Sequence, residues 1–172
     1  MRRGILYLAL AAVLTVGACT ERKDSYSHVQ NPPAPLLGSF ESYASPSHVR
    51  KLLPNQLAIT VVEDSKLPAG DPRPRFDVLD LRIEDYEHLG HRGELLVQFL
   101  NERLLGTWFY PDSYDSYIAA LRHSGLAPVS ETTRVGRYTD LWTYRDFEGR
   151  PYVAWEDSRL ADEQRRWIMK YS

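Results

Sequence analysis

One cysteine stands in 172 residues, so no disulfide can form within the chain and its core must hold by packing. Neither sign of charge prevails: 21 basic and 23 acidic side chains leave a net −2. That balance gives no reason to expect nucleic acid as a partner, and no basic patch for anionic lipid headgroups. After Cys19 no apolar run approaches the roughly 20 residues that span a bilayer core. Motifs that name a reaction are also missing. No serine lies in a G-x-S-x-G or S-x-x-K pattern. His88 and His91, beside Glu87, are spaced H-x-x-H rather than at the i, i+4 interval of the zinc proteases, and Gly90 breaks a helix there. The sequence implies no cofactor and no metal.

What is present begins at the N-terminus. Arg2 and Arg3 are followed by an apolar run from Ile5 to Val16, and Val16-Gly17-Ala18-Cys19 closes it with small residues before the cysteine. A run of about a dozen residues is too short to span, and basic, apolar and small zones in that order are the layout of an export signal. The segment resembles a bacterial lipoprotein signal with its lipobox. An ordinary secretory signal cut near Ala18, or an uncleaved anchor, are the competing readings. The resemblance implies a diacylglycerol on the sulfur of Cys19, removal of residues 1–18, and acylation of the new amino group. Several acyl chains suffice for stable anchoring. With its one cysteine used this way, the mature chain keeps no free thiol. Thr20, where an aspartate would favour inner-membrane retention, implies the outer membrane, facing the periplasm, in a Gram-negative source.

The remaining chain of about 154 residues, at net −4 once Arg2 and Arg3 leave, is the size of one domain. Residues 19–38, with Asn31-Pro32-Pro33-Ala34-Pro35, read as a flexible tether. Residues 39–172 read as one α+β domain in the order helix, four strands, helix, three strands, helix. Ser45-Pro46 opens the first helix, and Asp112 is the expected cap of the second, which Gly125 closes. Leu79, Leu81 and Ile83 alternate as a strand; Phe76 and Val78 fall out of phase, predicting a bulge near Val78-Leu79. Glu94 to Leu100 and Leu104 to Tyr110, joined at Asn101-Glu102-Arg103, are the strongest hairpin. Short links between neighbouring strands argue for an antiparallel sheet with helices packed on one face. The order also hints at two similar halves, each a helix followed by a meander, a layout that resembles small envelope lipoproteins built from one such unit.

Candidate sites are few. Ser113, Ser116, Ser124 and Ser130 lie near His123 in sequence, yet His123 at a helix end reads as a surface residue favoured by the helix dipole. Carboxylate pairs such as Asp112 with Asp115, or Asp77 with Asp80, read as caps and exposed strand faces. The aromatic residues, 11 Tyr, 4 Trp and 5 Phe, are the positive signal. Trp108-Phe109-Tyr110 ends one hairpin and Tyr138, Trp142, Tyr144, Tyr152 and Trp155 punctuate the later strands, where such rings form cross-strand pairs and core. Trp108, Tyr110, Trp142, Tyr144 and Trp155 are the candidates for a surface. Where they are exposed together they would mark a binding surface. The expectation is a lipid-anchored, non-catalytic module with an envelope protein as partner; a glycan-binding protein or hydrolase acting on cell wall is the alternative.

Overall fold

The computed structural model describes residues 31–126 and 132–172. The signal segment, Cys19 and Ser130 lie outside them. The chain runs α1 (Pro46–Leu52), β1 (Ile59–Ser65), β2 (Val78–His88), β3 (His91–Leu100), β4 (Arg103–Pro111), α2 (Tyr114–His123), β5 (Thr132–Arg134), β6 (Thr139–Arg145), β7 (Pro151–Asp157) and α3 (Ser158–Tyr171). These seven strands form one sheet in the order β1-β2-β3-β4-β7-β6-β5, with every neighbour antiparallel. The protein is therefore α+β. Two meanders, β1 to β4 and β5 to β7, are joined through β4 and β7.

Local chemistry explains most of these elements. The β2–β3 link is Leu89-Gly90, at φ 52 and 74, and the β3–β4 link is Asn101-Glu102, at φ 51 and 65. Two consecutive left-handed residues match the twist of the strands they join. The bulge expected at Val78-Leu79 is not there, because both residues pair in unbroken register with Leu100 and Phe99; the shift falls between Ile83 and Tyr86, where Asp85 takes φ 54. Phe76 simply lies before the strand. Ser45 caps α1 by accepting from the His48 amide. The cap position of α2 is Ser113, not Asp112, and Gly125 follows its C-cap at φ 75.

Side-chain alternation divides the interior in two. On the first face Leu81, Ile83, Leu95, Val97, Phe109, Val153 and Trp155 pack against Val49 of α1 and Tyr117 and Leu121 of α2. On the second face Leu100, Leu105, Trp108, Tyr152 and Ala154 pack against Leu160 of α3. Val153 and Trp155 belong to one cluster and Tyr152 and Ala154 to the other, so the clusters lie on opposite sides of β7. This corrects the expectation that all helices share one face. The cause is the join at Asp157, which ends β7 and is itself the N-cap of α3. No loop intervenes to carry α3 around the sheet.

Of the tether expected over residues 19–38, only residues 31–38 are among those described, and this part needs correction, because it packs on the domain. Ala34, Leu36, Leu37 and Phe40 are each no more than 6% exposed, and three of them join the first core. Proline holds the backbone extended, which suits a strap lying on a core as well as a free arm. The strap is fastened by hydrogen bonds. The Ala34 amide donates to Ser42 Oγ at 2.8 Å, the Ser42 hydroxyl to Asp157 Oδ2 at 2.6 Å, and the Thr139 hydroxyl to the Pro35 carbonyl at 2.7 Å.

Candidate functional site

The second face is only partly roofed. α3 crosses it with Gln164 donating to Gln98, Glu163 paired to Arg103 and Trp167 stacked on Phe76 at 4.0 Å. Away from the helix, cross-strand register builds two rows. Leu96, Trp108, Ala154 and Trp142 stand side by side on β3, β4, β7 and β6. One step along, Glu94 is opposite Tyr110 and Tyr152 is opposite Tyr144. The Tyr110 and Tyr152 ring centroids are 4.9 Å apart, which closes the second row across β4 and β7. Trp142 meets Tyr152 at 5.7 Å and 67°, and Tyr144 meets Tyr152 at 6.4 Å and 72°. Edge-to-face contacts of this kind add to the area the rings bury.

Exposure grades across the patch. Trp108 and Tyr152 are 9% and 8% exposed while Tyr144 is 67% exposed; Tyr110 and Trp142 are half-buried. The inner rings form a floor and the outer ones a rim. Arg150 borders it with its guanidinium 4.8 Å from the Tyr110 ring, paired to Asp146 at 2.9 Å and to Glu94 at 3.7 Å. Burial raises the Tyr152 phenol to about 12, with Tyr110 and Tyr144 adding to it, so the floor stays uncharged at any physiological pH.

Glu156 lies at the other end of the patch. Burial pushes its carboxyl up to about 7; Arg165 and a hydrogen bond from the Trp142 indole oppose the rise, and Asp140 adds to it. A carboxyl raised in the folded state stabilises the fold most below its unfolded value near 4.5 and loses that contribution as pH rises toward 7. Glu156→Gln should therefore flatten the pH dependence of urea unfolding between pH 5 and pH 8, by on the order of 2–3 kcal/mol relative to the native chain. Asp80, also raised by burial, to about 6, is present in both proteins and cancels. Parallel pH profiles for the two proteins would show that Glu156 is ionised without penalty.

The structure brings Trp108, Tyr110, Trp142 and Tyr144 together. Trp155 is not with them: it is 3% exposed and packs in the first core. Its register explains why, since Thr107 is opposite Trp155 while Trp108 is opposite Ala154. Cys19 lies outside the described residues. The polar cluster at the β2–β3 turn is partly interior. His88 Nδ1 is 2.7 Å from the Tyr117 hydroxyl, and burial, with His91 nearby, lowers its pKa to about 4, keeping the ring neutral. Among the described residues no group of three or more His, Cys, Asp or Glu could hold a metal ion. Ser113 donates to Ser116, Ser124 to the Leu121 carbonyl, and His123 Nδ1 to the Ala119 carbonyl. Asp77 is held by Arg75, while Asp80 accepts from Gln98.

Compared with known proteins, the chain matches no family model and no curated protein.

Sequence reasoning names Tyr152 among the strand aromatics without placing it in the binding surface, and leaves out Leu96, Glu94, Arg150 and Glu156. The place of Tyr152 in the patch, rather than that of Trp155, is legible in the sequence. Tyr152, Ala154 and Glu156 alternate with Val153 and Trp155 along β7, which already separates Tyr152 from Trp155. Leu96 follows from the β3–β4 hairpin, which sets it opposite Trp108, whereas Arg150 carries no such signal, because the pairing of β4 with β7 is what brings it near Tyr110.

Proposed function

We propose that this protein is a lipid-anchored lipoprotein of the outer membrane, facing the periplasm, and that it works as a non-catalytic module holding an envelope protein on its aromatic sheet face. The observation that carries the reading is that face: Leu96, Trp108, Tyr110, Trp142, Tyr144 and Tyr152 contiguous on four strands, bordered by the Arg150 ion-pair group. Tyr, Trp and Arg are the residues that dominate binding energy where proteins meet. The rings are inclined to one another, at 65° for Trp142 and Tyr144, so they offer edges and partial faces rather than the level platform on which a sugar ring stacks. Anchoring through Cys19 rests on the lipobox resemblance. Among the described residues no helix is long and apolar enough to cross a membrane.

The test is cross-linking of the intact acylated protein in its own membrane, beside Cys19→Ala and Tyr144→Ser. One envelope protein should be recovered by the native chain, and about tenfold less by each variant. Equal recovery by native and Tyr144→Ser protein would remove the aromatic face from the reading. Retention of glycan fragments with no protein would replace the adaptor by a cell-wall binder.

A further inference from the structure

A second recess lies where the end of α3 meets the segment leading into β2 and the β3–β4 turn, with a volume of about 250 Å³. It shares no residue with the aromatic face. Its floor is apolar and fixed. Phe76 stacks on Trp167 at 4.0 Å and 21°, and Leu100 beneath is 1% exposed. The Trp167 indole donates to the Pro74 carbonyl at 2.9 Å, and the Arg73 guanidinium, 5.5 Å from the Trp167 ring centroid, is itself held by Asp71 at 2.9 Å. The ring that a ligand would touch is thus set before anything binds.

The charges around this floor do not balance. Arg75 is matched by Asp77 at 2.6 Å and Glu102 at 3.1 Å. Glu163, the one acid in the lining, is taken up by Arg103. Arg166 bonds only the Asp162 carbonyl oxygen, at 3.2 Å, and the Lys170 ammonium rests 5.1 Å from the Tyr171 ring; no carboxylate pairs with either among the described residues. Two unmatched cations, four residues apart on one flank of α3, therefore overhang an aromatic floor in a protein whose net charge is −2. A cavity of about 150 Å³ holds benzene, and drug-sized ligands need about 300 Å³ or more. The recess has room for one ring and a short acidic chain.

We propose that this recess binds a small aromatic carboxylate, its ring against Phe76 and Trp167 and its carboxylate between Arg166 and Lys170. The inference is independent of the aromatic-face reading and of the anchor. It is tested on the full-length protein, purified in detergent, by titrating 3-phenylpropanoate and its uncharged counterpart 3-phenylpropan-1-ol while following the Trp167 indole N–H resonance, assigned with Trp167→Phe. The acid should move that resonance saturably with a dissociation constant near or below about 1 mM. It should bind about tenfold more weakly to Arg166→Gln/Lys170→Gln, whose changes lie on the solvent side of α3, while the weaker binding of the alcohol stays within about twofold. Equal binding of acid and alcohol to the native protein, an unchanged acid affinity in the double variant, or no saturable shift up to about 10 mM would each overturn the proposal.

Discussion

Asp157→Ala should lower folding stability by about 3–5 kcal/mol, a large share of the roughly 5–15 kcal/mol that holds a domain of this size. Asp157 is fully buried, and hydrogen bonds from α3 and from the strap converge on it. Its Oδ1 accepts from the Arg159 amide at 2.9 Å and, at 3.4 Å, from Leu160, capping α3. Its Oδ2 accepts from the Ser42 hydroxyl of the strap at 2.6 Å and from the Arg159 guanidinium at 2.5 Å. That guanidinium lies 3.8 Å from the Tyr138 ring centroid and 5.0 Å from that of Tyr43, and also donates to the Pro32 carbonyl at 2.9 Å. Removing the carboxylate leaves a cation between two rings without its counter-charge, a buried hydroxyl without its acceptor, and a helix without its cap, the last alone worth about 1 kcal/mol. Burial would raise the Asp157 pKa, but hydrogen bonds from Arg159 and Ser42 outweigh it and hold the group below its usual value. Its stabilisation is therefore present above pH 4 or so and is lost as pH falls through the folded value. Urea unfolding at pH 7 gives the loss, and hydrogen exchange gives its location: the Ala34 and Ser42 amides should lose protection first, because both sit in the strap. A loss under about 1 kcal/mol would mean that water replaces Asp157 and that the strap is held by Leu36, Leu37 and Phe40 alone.

How far the fold could be read from the sequence depends on how local each cause is. The β3–β4 hairpin and α3 were legible because alternation, turn residues and helical period lie within a few positions of one another. The strap was not, because Pro32, Pro33 and Pro35 announce extended backbone without saying whether Leu36, Leu37 and Phe40 find a surface. The face chosen by α3 was hidden for a similar reason. Its apolar stripe of Leu160 and Trp167 is plain, but the side it turns to follows from Asp157 ending β7 and capping α3 together. The bulge was placed wrongly because the phase of Phe76 was read as part of the strand, while the left-handed residue that breaks the ladder is Asp85.

The patch was half legible. Aromatic residues at alternate positions show that some face of a sheet carries them, and Trp142 with Tyr144 form such a pair on β6. Trp155 is set apart from Trp142 and Tyr144 by the local β6–β7 register, which puts it opposite Leu141. Joining Trp108 and Tyr110 to that face, however, required the pairing of β4 with β7, strands separated by α2, β5 and β6, and nothing in either strand encodes that register. The same pairing brings Tyr110 beside Tyr152, which makes a continuous surface out of aromatics from both meanders.

That division of tryptophans supplies the sharpest test of the functional reading. Trp155→Ala and Trp142→Ala delete the same side chain from neighbouring strands, and the two should fail in different ways. Trp155 is buried in the first core, edge-on to His88 at 5.9 Å, so its loss opens a cavity and should lower stability by about 3–5 kcal/mol. Trp142 is half-buried on the second face, in contact with Tyr144 and Tyr152, and leaves a site that water can fill. Its loss should lower stability by about 1–2 kcal/mol. On the proposed function the ranking reverses for the partner. Trp142→Ala should weaken retention by about 2 kcal/mol or more, near thirtyfold, while the fraction of Trp155→Ala protein that remains folded should bind as the native chain does. Urea midpoints and partner recovery normalised to folded protein measure both quantities on the same samples. If recovery follows stability in both variants, loss of the fold explains everything and the aromatic face has no separate part in binding. A thirtyfold loss in Trp142→Ala at nearly native stability assigns the surface its role, because only a group that faces the partner can weaken binding more than it weakens the fold.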